Sequence, residues 1–127
     1  MLLLDTHLVL WSALAPERLS ATARRLIELR LQPVAFSDAT LWEVAIKSSV
    51  GKPGFAVDAA ILRKGLLAAG FDELPIRAEH VLAVAGLPWL HRDPFDRLLV
   101  AQAAVEGLTL LSVDKQLKRY GKHVRQV

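Results

Sequence analysis

DPFDRLLVAQAAVEGLTLLSVD, residues 93–114, reads as one helix followed by one strand. Asp93 offers a side-chain acceptor to the first free N–H groups of a helix, and Pro94 suits the first helical position. The helix runs to Glu106, where Gly107 supplies the residue that most easily ends it. The apolar run 108–113 then has the length and composition of a buried strand. Asp114 stands at its carboxyl end.

The same alternation extends in both directions. Toward the N-terminus, 1–4 is a short apolar strand, and 6–15 is a helix that stops near Pro16. Ser20 caps a helix at 21–31, and Pro33 separates it from a strand at 34–36. Ser37 caps the helix 38–49, which ends before a turn at 51–54 containing Pro53. Asp58 opens the helix 59–69, closed by Gly70. A weaker strand at 72–76, a helix at 78–85 and a loop at 86–92 lead back to Asp93. Beyond Asp114 the pattern predicts a short helix at 115–120 and a strand at 123–127. Strands that alternate with helices form an α/β layer architecture around a mainly parallel sheet. A chain of 127 residues suits one domain, 1–127. Open parallel sheets bind ligands beyond the carboxyl ends of their strands. Asp5 and Asp114 occupy such ends.

Bulk properties narrow the function classes. The chain is 53% hydrophobic and 23% charged, which suits a packed core and excludes a disordered segment. It has no cysteine, so disulfide frameworks, thiolate nucleophiles and cysteine-type zinc sites are excluded. Its longest uncharged stretches, around 7–16 and 81–90, are shorter than the ~20 residues that span a bilayer. A cytoplasmic protein with no membrane partner is expected. The net charge is +3. Basic residues gather at Arg24, Arg25 and Arg30, and again at Lys115, Lys118, Arg119, Lys122 and Arg125. The ordinary reading is a solvated helical face; the functional one is a surface that tracks a phosphate backbone.

Each acid on this framework has a structural explanation. Asp5 and Asp114 can cap the helices that follow them. Asp93 can cap its helix with Asp96 three residues on, an acidic variant of the capping box. Glu43 is mid-helix beside Trp42, Val44 and Ile46, where capping explains nothing. As a set the acids mean more. Two carboxylates 4 Å apart repel by roughly 4 kcal/mol at an effective dielectric near 20. Such groups stay together when they share protons or hold a cation. Oxygen ligands suit Mg²⁺ and Mn²⁺. Zinc-binding spacings such as HExxH, and the phosphate-cradling GxxxxGK[ST] and GxGxxG patterns, are absent. A carboxylate-held Mg²⁺ is suited to phosphodiester hydrolysis with water as the nucleophile. Two other readings stay open: a phosphotransferase using Asp5 as nucleophile, disfavoured by His7 where a second Asp is wanted, and a non-catalytic adaptor.

Four segments, in order, carry a resemblance: Leu2-Leu3-Leu4-Asp5-Thr6-His7; Ser37-Asp38-Ala39-Thr40-Leu41-Trp42-Glu43-Val44-Ala45-Ile46-Lys47; His91-Arg92-Asp93-Pro94-Phe95-Asp96-Arg97-Leu98-Leu99-Val100-Ala101-Gln102-Ala103; and Leu110-Leu111-Ser112-Val113-Asp114. The chain resembles the PIN-domain family and, within it, toxin ribonucleases of VapBC toxin–antitoxin systems. The resemblance implies a three-layer α/β/α sandwich in which Asp5, Glu43, Asp96 and Asp114 surround Mg²⁺, with Mn²⁺ as a substitute. It implies an endoribonuclease that cleaves RNA with a metal-activated water. It also implies a VapB-type antitoxin and a homodimer or toxin–antitoxin hetero-oligomer. Thr6 and Ser112 match hydroxyl positions that orient the acids. Asp93 reads first as an N-cap, with a metal or proton-transfer role as its alternative, and His91 first as a satisfied loop histidine, with contact to the scissile phosphate as its alternative. Thr40, Leu90 and Ser112 depart from the commoner serine, histidine and threonine, and none of these removes an acid. Leu8, Leu10, Trp11 and Leu41 read as core rather than interface.

Overall fold

The computed structural model describes residues 1–51 and 55–127. Five strands form one sheet: β1 (Leu2–Leu4), β2 (Val34–Ser37), β3 (Asp72–Leu74), β4 (Thr109–Ser112) and β5 (Val124–Gln126). Their order is β3-β2-β1-β4-β5, and every neighbouring pair is parallel. Among the described residues six α-helices accompany them: α1 (Thr6–Leu14), α2 (Ala21–Glu28), α3 (Asp38–Ser49), α4 (Ala59–Ala68), α5 (Ala78–Val84) and α6 (Pro94–Glu106). Pro16–Arg18 and Leu117–Tyr120 are single 3₁₀ turns. The α/β layers around a parallel sheet expected from the alternation are the observed architecture, consistent with the sandwich that the resemblance implies.

The pleat divides the apolar residues between two cores. Leu2, Leu4, Val34 and Phe36 face one side and pack with Leu8 and Val9 of α1, Ala23 and Ile27 of α2, and Leu62 and Leu66 of α4. Leu3, Ala35 and Leu110 face the other side and pack with Leu98, Leu99 and Ala103 of α6. Helix α3 joins both, with Val44 in the first core and Ala39 in the second. Leu8 is core, and Leu10, Trp11 and Leu41 pack partly buried against it, as their spacing suggested. No helix among the described residues is long and apolar enough to cross a membrane.

Local chemistry sets the boundaries. Ser20, Ser37, Asp58 and Asp93 all cap the helices expected of them. Gly107 takes a left-handed conformation at the end of α6 (φ 68°), which few other residues adopt cheaply. Where limits differ from the sequence reading, a competing bond is visible. Helix α2 stops at Glu28 instead of running to 31, because Arg30 turns to φ 52° and gives its guanidinium to the carbonyls of Ala69 and Gly70. Strand β3 stops at Leu74, since Pro75 has no N–H to pair. The N–H of Leu108 closes α6 onto Ala103, so β4 begins one residue later than expected. The final helix is shorter than 115–120 because the Gln116 N–H folds back onto Asp114 Oδ1, leaving only Leu117–Tyr120 wound. The expected turn at 51–54 lies, past Gly51, outside the described residues.

Leu4 is wholly buried at the centre of the sheet, between β2 and β4. Its replacement by Ala should cost about 2–5 kcal/mol. Urea unfolding of Leu4→Ala would check this, the midpoint falling with an unchanged m-value.

Candidate functional site

Because β1 and β4 are neighbours, their carboxyl ends place Asp5 beside Ser112 and Val113, more than one hundred residues away in sequence. The Asp5 N–H donates to the Leu111 carbonyl, continuing the ladder one step past the strand. Its carboxylate is 2% exposed and fully engaged. Oδ1 accepts from the Leu8 N–H (2.8 Å), and Oδ2 accepts from Ser112 Oγ (2.7 Å) and the Val113 N–H (3.0 Å). The capping role weighed for Asp5 is therefore real, and it uses one oxygen of two.

Thr6 joins Asp5 to the next acid. Its hydroxyl donates to Glu43 Oε1 (2.7 Å) and lies 3.2 Å from the Thr40 hydroxyl. Glu43 is 5% exposed. Its other oxygen accepts from Lys47 Nζ at 2.6 Å, one helical turn on. Beside it, the Trp42 ring meets Phe95 edge-on, with centroids 4.9 Å apart. That contact ties α3 to the first turn of α6.

At that turn Asp93 Oδ1 accepts from the N–H groups of Phe95 and Asp96. The reciprocal half of a capping box was expected from Asp96, but His91 makes it. The Asp93 N–H donates to His91 Nδ1 (3.0 Å), which leaves the ring proton on Nε2. Nε2 then donates to Asp114 Oδ2 (2.8 Å) and lies 3.6 Å from Asp96 Oδ2. Asp96 is thereby released from the backbone, and its carboxylate accepts no hydrogen bond among the described residues. One nitrogen of His91 and one oxygen each of Asp96 and Asp114 lie within 4.8 Å of one another. Asp5 and Glu43 border this trio, close enough for their charges to act on Asp96, without joining it. Of the four acids expected together, two converge, two stand close by, and His91 enters the group as a donor between carboxylates.

The sequence matches the PIN domain family over residues 2–123. The chain belongs to the PIN domain family. Among solved structures it is similar to a chain of VapBC2 from Rickettsia felis bound to a DNA fragment from their promoter. That match has a TM-score of 0.70 and 16% identity, and covers 99% of this chain and 98% of that one. A toxin–antitoxin complex from Klebsiella pneumoniae gives 0.66 and 16%, covering 98% and 96%. FitAcB from Neisseria gonorrhoeae gives 0.59 and 20%, covering 94% and 92%. Among curated proteins the comparison finds no significant match.

The electrostatics of this PIN domain follow from the crowding. Burial, then the charges of Asp93, Glu43 and Asp5, push Asp96 up to about 7 against the pull of His91. Burial raises Asp5 as well, opposed by its bonds to Ser112, Leu8 and Val113. At Asp114 burial is outweighed by the hydrogen bonds from His91 and Gln116, which hold it below the usual range.

Arg97 holds the loop that presents His91, and its helical position gave no sign of this role. It is buried, and donates to the carbonyls of Val84, Leu87 and Pro88 and to the Tyr120 hydroxyl. Its guanidinium lies 4.1 Å from the Trp89 ring centroid. Further along the helix, Gln102 anchors α6 differently, accepting from Ser37 Oγ and donating to the Pro75 carbonyl.

Two outcomes are expected. Arg97→Met leaves several acceptors without donors, at about 1–3 kcal/mol for each one that water cannot reach. Faster amide exchange across 86–92, with α6 unchanged, would check the loop-holding role. For Asp96, a folded-state pKa raised to about 7 favours folding with the proton on. That contribution is full below the unfolded value near 4 and is lost as pH rises through about 7. In chelator, Asp96→Asn should therefore melt higher than wild type at pH 8, and the difference should vanish near pH 4.

Proposed function

We propose that this PIN domain is a divalent-metal-dependent endoribonuclease and the toxin of a toxin–antitoxin pair. The observation that carries this reading is the state of Asp96. It is a half-buried carboxylate with no hydrogen-bond donor among the described residues, and burial and the neighbouring acids push its pKa up to about 7. Such a group wants a cation. Oxygen donors from Asp5, Glu43, Asp96 and Asp114 suit Mg²⁺ or Mn²⁺ and would hold it. When bound, the ion supplies water activation and neutralises charge that grows on the phosphoryl oxygens.

The chain's own residues do the positioning. Ser112 and the Leu8 and Val113 N–H groups fix the Asp5 carboxylate, so it needs no reorganisation when a cation arrives. Oδ1 of Asp5 accepts one bond and keeps lone-pair capacity beyond it, whereas Oδ2 already accepts two. Thr6 aims Glu43, and Lys47 neutralises it meanwhile. His91, with its proton on Nε2, serves as the orienting donor to Asp114 rather than as a ligand, since ligation would require that proton to leave. This is the outer-shell role that keeps a metal site in register.

Phosphodiesters as substrate agree with Arg92 and Lys115, which adjoin His91 and Asp114 in the chain and take part in no ion pair among the described residues. An antitoxin partner is supported by the assemblies in which two of the similar folds occur, and a homodimer by exposed Trp42 and Ile46 on α3. The alternative of phosphoryl transfer to Asp5 is disfavoured, because both of its oxygens already accept hydrogen bonds in a buried setting.

Purified protein with total RNA should release new 5′ ends with Mg²⁺ or Mn²⁺ and none in chelator. Asp5→Asn and Asp96→Asn should each lose at least about 100-fold in cleavage, given what even outer-shell changes cost. Mn²⁺ at about 100 times Kd should stabilise the wild type by about 2.7 kcal/mol, and Asp96→Asn much less. Wild-type rates in either variant would remove the site from consideration. No thermal response to Mn²⁺ would favour a non-catalytic adaptor.

A further inference from the structure

Two residues before His91, Trp89 is 80% exposed, an unusual place for the largest apolar side chain. It is not loose. The guanidinium of buried Arg97 covers one face of the indole at 4.1 Å, and the same guanidinium is fixed by the Val84, Leu87 and Pro88 carbonyls and by Tyr120. One face is thus stacked on a rigid cation and the opposite face is open to solvent. The side chain borders a cleft of about 550 Å³ lined by Trp89, Leu90, His91, Arg92 and Gln116. His91 forms one wall of this cleft and reaches Asp114 and Asp96 with its Nε2 edge. The cleft therefore adjoins the acidic trio. Its remaining walls offer an exposed cation in Arg92 and an exposed amide in Gln116.

A preorganised aromatic face, a cation and a side-chain amide in one cleft match the parts of a nucleotide: base, phosphate and base edge. Stacking accepts any base, because every base has a π-face, while the cation follows the backbone. Single-stranded RNA presents such unstacked bases, and a duplex does not. An acidic peptide would be repelled by the carboxylate cluster beside this open indole face.

We propose that this cleft receives the nucleotide adjoining the cleaved bond of a single-stranded RNA, with its base stacked on the open face of Trp89. This rests on the ribonuclease reading above, and it makes Trp89 a substrate-positioning residue. Arg97 then has two tasks on one side chain: it shapes the loop that carries His91 and backs the platform that carries the base.

The test is steady-state cleavage of a defined single-stranded oligoribonucleotide by wild type, Trp89→Ala and Trp89→Phe. A matched set of substrates carries one abasic residue on either side of the cleaved bond. Trp89→Ala should raise KM by about 10- to 100-fold with kcat little changed, and Trp89→Phe should recover most of the loss. Wild type on the abasic substrate should behave like Trp89→Ala on the intact one, and combining the two changes should add nothing. An unchanged KM in Trp89→Ala, or an equal penalty for that variant with and without the base, overturns the inference. Binding is read separately in chelator by fluorescence in a Trp11→Phe, Trp42→Phe background, where Trp89 is the sole indole. Quenching by the oligonucleotide supports the stacking site even if no cleavage is seen, which would defeat only the nuclease reading. Metal-dependent cleavage without quenching overturns the stacking site and leaves the nuclease intact.

Discussion

The Asp5 carboxylate is the knot of this structure. It takes one hydrogen bond from the start of α1 and two from the end of β4, so a single buried charge joins the first strand to the last part of the chain. Those bonds compensate for some of the cost of burying it, and burial still raises its pKa. A charge held in that way is fixed in space. Every other acid at this end of the sheet has to be arranged around it.

The consequence is an electrostatic conflict that the fold maintains rather than relieves. Glu43 is partly neutralised by Lys47, and Asp114 is stabilised by the hydrogen bond from His91. Asp96 receives neither, and it accumulates the repulsion of Asp93, Glu43 and Asp5. Its backbone neighbours would ordinarily draw such a residue into capping, but His91 occupies that place with Nδ1. One imidazole thus orients Asp114 and frees Asp96. The packing of Trp42 on Phe95 and the clamp of Arg97 on the 86–92 loop keep both acids where this conflict persists. That standing repulsion is the physical basis of the cation site proposed above.

Most of the fold was legible because its punctuation is chemically specific. Ser20, Ser37, Asp58 and Asp93 announce helix starts, and Gly70 and Gly107 announce ends; the apolar runs between them have strand length. The position of Asp5 and Asp114 at strand ends followed from the alternation alone. What pattern reading leaves open is pairing at a distance. That β1 lies beside β4, so that Ser112 donates to Asp5, depends on side-chain packing across more than one hundred residues. The four segments that carry the family resemblance supplied that proximity as an expectation. His91 and Arg97 were harder. The ring's role depends on its loop's fold, and Arg97, a cation of a kind usually exposed, is buried with the rest of 97–103 on α6. Lys47 was readable in principle, four residues after Glu43 on one helix face.

The central claim is that the acids around Asp96 capture a divalent cation. Anomalous diffraction at the manganese edge, from crystals of this protein grown with Mn²⁺, tests it most directly. The account predicts a peak bonded to Asp96 and to at least one of Asp5 and Asp114, with His91 still donating to Asp114. Manganese found only elsewhere on the surface, with Asp96 still bare, would contradict it.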